Sequence, residues 1–270
     1  MHRSIKLIFL ILIPHITLSH SVYIIVHGTW SSNSAWYMPG GNFFNMLEKT
    51  VQKHNAHVTS FRWSGKNTHE ARQQAAQSLV KLIQTYDLST DICLIGHSHG
   101  GNVCTLATQL LGQDITNKHR INTIFALGTP THKKLYPDMN VVNYFYNLFS
   151  FEDLIQPVCA LFEREYQKHE RIANIRVFLN DKEPDHALLH HPLVAQWIPC
   201  IHQQFTEFIQ SHNTTHDISH AGIIYLYNNK HPIYKIDDKR KELLERDLRL
   251  SFMLLHTLQT SLERKHIIIS

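Results

Sequence analysis

The sequence predicts an α/β fold: a mostly parallel sheet with helices on both faces. Three observations carry that expectation. Short runs rich in Val, Ile, Phe and Tyr alternate with longer stretches of helical period. The short runs hold little internal polarity, as strands covered on both faces do. At 270 residues, the chain is also long enough to bury roughly three quarters of its unfolded surface.

The elements follow in order. Met1-His2-Arg3-Ser4-Ile5-Lys6 makes a positive start, Leu7 to Ile13 is apolar, and small residues stand at Ser19 and Ser21. Residues 1–20 therefore read as a signal peptide, which predicts export to a periplasmic or extracellular space. A buried first strand is the competing reading. The apolar run falls far short of the ~20 residues that a membrane-spanning helix needs.

From Ser21 the strand candidates are Val22–Val26, His57–Trp63, Asp91–Ile95, Asn122–Leu127, Val141–Phe149 and Asn174–Leu179. Helix candidates are Asn42–His54, Glu70–Tyr86, Asn102–Leu111 and Leu193–Gln210, each with apolar residues near a 3.6-residue period. In sheets wound this way ligands bind at the carboxyl ends of the strands, so those loops are the place to look for chemistry.

After about Ser211 the pattern changes. Ile223–Tyr227 and Ile233–Ile236 flank Asn228-Asn229-Lys230-His231-Pro232, which predicts a hairpin. Asp237 or Asp238 can cap a long helix carrying Leu244, Leu248, Phe252, Leu255, Leu258 and Leu262 as one stripe. The expected organisation is a main α/β domain over 21–212 and a hairpin-helix appendage over 213–270. That stripe would pack on the main body, or make a homodimer.

Composition narrows the partners. Lys+Arg 26 against Asp+Glu 22 gives +4 with no sustained basic block, which argues against nucleic acid. Cys93, Cys104, Cys159 and Cys200 include no Cys-x-x-Cys pair, so no zinc-ribbon spacing is present. Cys93 and Cys104 lie in apolar runs and read as buried free thiols, with one disulfide as the alternative. His186 and His190 are spaced like a helical ligand pair, but no carboxylate is clearly their third ligand. No metal and no cofactor is expected.

One motif carries chemistry. Asp91-Ile92-Cys93-Leu94-Ile95 runs directly into Gly96-His97-Ser98-His99-Gly100-Gly101, and a helix follows. A Gly-x-Ser-x-Gly between strand and helix puts the serine in a strained turn, with its hydroxyl above the sheet edge. Gly96 and Gly100 remove Cβ atoms where strand and helix nearly collide. The helix start aims unsatisfied N–H groups at the same point. His97 and His99 sit on too tight a turn to serve Ser98 as its base and are expected to brace it.

Upstream, the first strand ends in His27-Gly28-Thr29-Trp30. With this His-Gly dipeptide before the serine motif, the sequence resembles the α/β-hydrolase superfamily, in particular its lipase and esterase branches, over roughly Ser21 to Gln210. The resemblance implies the α/β-hydrolase fold and a serine hydrolase of carboxylic esters. It also implies an oxyanion hole formed by the backbone N–H groups of Thr29 and His99, with His27 bracing that loop. The superfamily order of Ser, then acid, then His makes Ser98 the nucleophile. Asp153, in Glu152-Asp153-Leu154-Ile155-Gln156-Pro157 after a late strand, is the expected acid, with Glu152 and Asp138 as rivals. His186, in His186-Ala187-Leu188-Leu189-His190-His191-Pro192, is the expected base, with His190 and His191 as rivals.

Trp30, Trp36, Tyr37, Phe43 and Phe44 follow the His-Gly loop and are either core or the lining of an apolar site. The expected partner is a small-molecule or lipid ester, with transient contact to a lipid surface. Thioesterase or acyltransferase chemistry would use the same triad. A hydrolase-like fold kept as an inactive binding protein is the reading from a different class.

Overall fold

Alternation along one strand defines both layers of the molecule. In β1 (Ser21–Val26), Val22, Ile24 and Val26 enter one apolar cluster while Tyr23 and Ile25 face the other. The same division recurs in β3 (Asp91–His97), where Ile92 and Leu94 oppose Cys93 and Ile95. It appears again in β4 (Ile121–Leu127), where Ala126 opposes Phe125 and Leu127. Strands apolar on both sides must be covered on both sides. α1 (Asn42–Val51) and α5 (Pro192–His212) cover one face; α2 (His69–Ile83) and α3 (His99–Gln113) cover the other. Each fully buried Leu, Ile or Phe in these layers contributes about 1.5–3 kcal/mol of transfer free energy.

The computed structural model describes residues 20–132, 134–159, 163–212 and 222–237. The expected signal peptide, His20 apart, and the expected long helix after Asp237 lie outside them. With that helix lies the homodimer contact that rested on it.

The remaining elements are β2 (Ala56–Phe61), β5 (Val142–Phe149), α4 (Ile155–Cys159), β6 (Ile172–Leu179), β7 (Gly222–Leu226) and β8 (Ile233–Ile236). The sheet runs β2-β1-β3-β4-β5-β6-β7-β8, parallel throughout except for the antiparallel β7–β8 pair. This is the mostly parallel, doubly covered sheet of an α/β-hydrolase fold. β2 lies on one side of β1 and β3 on the other, so the winding reverses between β1 and β3. That reversal opens a crevice at their carboxyl ends, where open α/β sheets place ligands. The loop after β1 is His27-Gly28-Thr29; the residue after β3 is Ser98.

Local chemistry sets the ends of elements. Thr68 Oγ1 accepts from Ala71 N at 3.1 Å and caps α2. After α1 the chain tightens into a 3-10 turn, Gln52–His54, and leaves through Asn55 in the left-handed region at φ 54°. Two expectations change. α3 begins at His99, not Asn102, because Gly100 and Gly101 are already helical. The hairpin pairs β7 in parallel with β6, so it extends the main sheet across the expected boundary at residue 213. Cys93, Cys104 and Cys200 are free thiols, the first two buried. No helix among the described residues is long and apolar enough to cross a membrane.

Candidate active site

Ser98 stands alone between β3 and α3 with φ 53° and ψ −134°. For a residue with a Cβ that conformation stores strain, and it persists only because the surroundings enforce it. Three glycines do so by close approach. A Cβ on Gly96 would lie 2.5 Å from Gly101 Cα; one on Gly100, 2.2 Å from Val26 O; one on Gly101, 1.9 Å from Thr129 Oγ1. The expected strand–helix collision is the Gly96–Gly101 contact. Gly100 meets the neighbouring strand β1 instead, and the need for Gly101 was not anticipated.

Gly28 faces the serine, and a Cβ there would lie 2.9 Å from Ser98 Cβ. His27 is fully buried beside it. Its Nδ1–H donates to Gly28 O at 2.7 Å, while its Nε2 accepts from Trp63 N at 3.1 Å. Burial holds its pKa below the ordinary value, so the ring stays neutral and one nitrogen can donate while the other accepts. Because Gly28 C=O and Thr29 N–H point opposite ways from one peptide plane, anchoring the carbonyl fixes the direction of the amide. The Trp30 amide is already committed to Gly65 O at 2.9 Å. The amides of Thr29 and His99 have no acceptor among the described residues. At His99 this follows from its place at the first position of α3.

The chain brings Asp153 and His186 together. Asp153 is fully buried after β5. Its Oδ1 accepts from Ile155 N at 2.9 Å and Gln156 N at 3.0 Å, which caps α4. Its Oδ2 accepts from His186 Nδ1–H at 2.7 Å. That tautomer leaves Nε2 as a base. Among the described residues no hydrogen bond joins Ser98 Oγ to the imidazole. Gly128, at φ 56°, clears the space for the pair: a Cβ there would lie 2.8 Å from Asp153 Oδ2 and 3.2 Å from His186 Nδ1.

The rivals lie elsewhere. Glu152 is exposed, and Asp138 precedes β5 at the opposite end of the sheet, where its carboxylate lies against Gly112. His191 Nδ1 accepts from Leu193 N at 3.1 Å near the start of α5. His190 stacks on Trp36, with ring centroids 4.3 Å apart and 8° between planes, and abuts His97 edge-on. His97 Nε2–H donates to His186 O at 2.9 Å and so ties the base loop to the strand that bears Ser98. Burial, then the neighbouring His186 and His190, hold His97 well below its ordinary pKa. His99 is lowered to about 4 by burial, then by Arg72 and His186. Its Nδ1 accepts from Asn102 Nδ2 at 3.1 Å. Among the described residues no group of three His, Cys, Asp or Glu side chains is placed to hold a metal.

The aromatic residues divide. Tyr37, Phe43 and Phe44 are core; Trp36 faces the histidines; Trp30 is 83% exposed. Leu154, Ile155 and Val158, near the acid in sequence, and Leu188, near the base in sequence, are exposed as well.

The model of the class 3 lipase family matches residues 23–155 of this chain. A search of curated proteins finds no match. Among solved structures the chain is similar to a putative hydrolase of the α/β superfamily from Xanthomonas campestris pv. campestris. That likeness has 15% identity over 72% of this chain and 99% of the other, with a TM-score of 0.41. It is also similar to a putative hydrolase from Agrobacterium vitis S4 (12% identity, 63% and 82% covered, TM-score 0.43). A cutinase-like protein from Cryptococcus sp. shows 11% identity, 67% and 90% covered, and a TM-score of 0.43.

Proposed function

We propose that this chain is an α/β-hydrolase of the lipase and esterase kind and that it cleaves carboxylic esters through Ser98, His186 and Asp153. The observation that carries this reading is the 2.7 Å hydrogen bond from His186 Nδ1–H to a fully buried Asp153, on loops beside the strained serine. Asp153 holds the imidazole in the tautomer whose Nε2 accepts the Ser98 proton, and it stabilises the imidazolium that forms. Ser98 Oγ bonds to the ester carbonyl carbon, and the oxygen takes negative charge between the amides of Thr29 and His99. Each such donor is worth about 3–4 kcal/mol in the transition state. Collapse breaks the bond to the alkoxy oxygen, which leaves as the alcohol with the proton from His186. Water, deprotonated by the same nitrogen, then releases the carboxylic acid and restores Ser98.

An apolar acyl ester offered at a lipid surface fits the rim best. Trp30, Leu154, Ile155, Val158 and Leu188 are exposed large apolar residues, each within five residues in sequence of the oxyanion, acid or base group. Export after removal of residues 1–20 belongs to the same proposal, and sequencing the N-terminus of protein recovered from the host's exterior tests it.

A fluorophosphonate probe and a series of p-nitrophenyl esters of rising chain length test the activity. Labelling of Ser98 that vanishes in a folded Ser98→Ala variant is expected, with kcat/KM rising as the acyl chain lengthens. Absence of labelling in the wild type would point to the binding protein. Preference for a matched thioester, or for an alcohol acceptor over water, would move the assignment to a thioesterase or acyltransferase.

A further inference from the structure

Among the described residues the largest side chain withdrawn from solvent is a charged one, Arg164. A buried guanidinium is costly unless its donors find acceptors. Here they find the turn that carries the acid. Nη1 donates to Ser150 O at 2.7 Å and to Asp153 O at 2.6 Å, and Nη2 reaches Phe151 O at 3.4 Å. The guanidinium carbon lies 5.4 Å from the Phe151 ring centroid. Three carbonyls of one four-residue turn therefore converge on a single planar cation, a geometry suited to a fork and not to a point charge.

The contacts close into a circuit. Arg164 Nη1 holds the Asp153 carbonyl, Asp153 Oδ1 accepts from Gln156 N at 3.0 Å, and Gln156 Nε2 returns to Arg164 O at 3.2 Å. Asp153 is thus fixed at its backbone by the guanidinium, and at one carboxylate oxygen by two amides of α4. Only Oδ2 is left to aim at His186 Nδ1. A second carboxylate steadies the same turn from the base loop. Glu183 accepts from Phe151 N at 2.7 Å and Ser150 Oγ at 3.2 Å, and pairs with Arg176. Glu183 anchors the turn through one amide and one hydroxyl; of these two side chains it is Arg164 that bonds to the acid residue itself.

We propose that Arg164 is a positioning residue for catalysis: its buried guanidinium gathers the Ser150–Asp153 turn and so sets the direction of the Asp153 carboxylate towards His186. The proposal rests on the triad reading above and deepens it. The bond that joins Arg164 to the triad ends on the Asp153 carbonyl, so Arg164 acts through Asp153.

The full-length protein is assayed as Arg164→Gln, Arg164→Lys, Asp153→Asn and the double variant Arg164→Gln/Asp153→Asn, each checked for folding by circular dichroism. Arg164→Gln is expected to lower kcat about 10²-fold with KM changed less than about twofold, because binding is untouched and only orientation is lost. A far-downfield proton resonance of His186 Nδ1–H is expected in the wild type and should vanish in this variant. The double variant should fall within about threefold of Asp153→Asn alone, since two changes acting through one group do not add. Arg164→Lys, which keeps charge but not the fork, is expected to fold and to lose about tenfold in kcat. It carries the test if the Gln variant unfolds. A folded Arg164 variant with wild-type kcat and an intact resonance would overturn the inference, as would a fully additive double variant. If Asp153→Asn itself kept its kcat, the triad assignment would fail first. If Asp153→Asn were inactive and the Arg164 variants active, only the role of Arg164 would fall.

Discussion

The nucleophile turn and the acid–base loops meet at one site but are held by opposite means. Around Ser98 the constraint is steric and largely backbone: Gly28, Gly96, Gly100 and Gly101 leave no room for a Cβ, and the strand, turn and helix are contiguous in sequence. Around Asp153 and His186 the constraint is a web of polar side chains, with Arg164, Glu183, Gln156 and His97 each bonding to a segment distant in sequence or to its carbonyls. The first arrangement should fail when an atom is added. The second should fail when a donor or acceptor is removed.

Substitutions can sharpen or break that contrast. The largest loss is expected from Ser98→Ala, about 10⁶-fold in kcat at unchanged stability, since the nucleophile itself is gone. A Ser98→Ala protein that still turned over esters would remove the premise. Asp153→Asn should cost about 10⁴-fold by leaving the imidazole in the wrong tautomer, whereas Asp138→Asn should leave ester hydrolysis unchanged. A single added methyl at Gly28→Ala has to displace Ser98 Cβ or His97 O, 2.9 and 3.0 Å from the new atom. About 10²-fold loss in kcat is expected as the oxyanion amide moves; wild-type kinetics would show that the turn is not held by contact. Glu183→Gln keeps shape but loses charge against Arg176 and two donors of the acid turn, and should cost about tenfold in kcat.

The smallest effect is on stability against pH. His27, His97, His99 and His190 all have pKa values lowered chiefly by burial, His99 to about 4. Each binds fewer protons folded than unfolded at mildly acid pH, so stability is full above the ordinary histidine value of 6.5 and declines as pH falls towards about 4. Melting temperature measured across that window should drop, and His99→Asn should flatten the slope. A melting temperature that rose on acidification would contradict the neutral, buried histidines.

The same contrast explains what the sequence could reveal. Strands and helices were legible to within a few residues because their period is local, and so was the serine turn, whose three parts adjoin. α4 was not, because five residues show no period and the helix exists through the Asp153 cap. Gly128 gave no signal: what it avoids is a pair of side chains from two other loops. Arg164 stands between Glu163 and Glu165, a pattern that usually marks a solvated surface, yet it is buried. The hairpin was legible as a hairpin. Its parallel partner β6 was not, since that pairing spans more than forty residues of chain.

That pairing bears on when the protein becomes competent. β6 ends in a tight reversal, Leu179 to Lys182, with Asn180 and Asp181 at positive φ, and His186 lies just beyond it. The reversal is tied to the last parallel strand: Asn180 N donates to Leu226 O at 3.0 Å, and Tyr227 Oη donates to the Asp181 carboxylate. During synthesis the base is therefore made well before the strand that steadies it. A nascent chain released short of Tyr227 would carry every reacting group and still lack the brace beneath its imidazole.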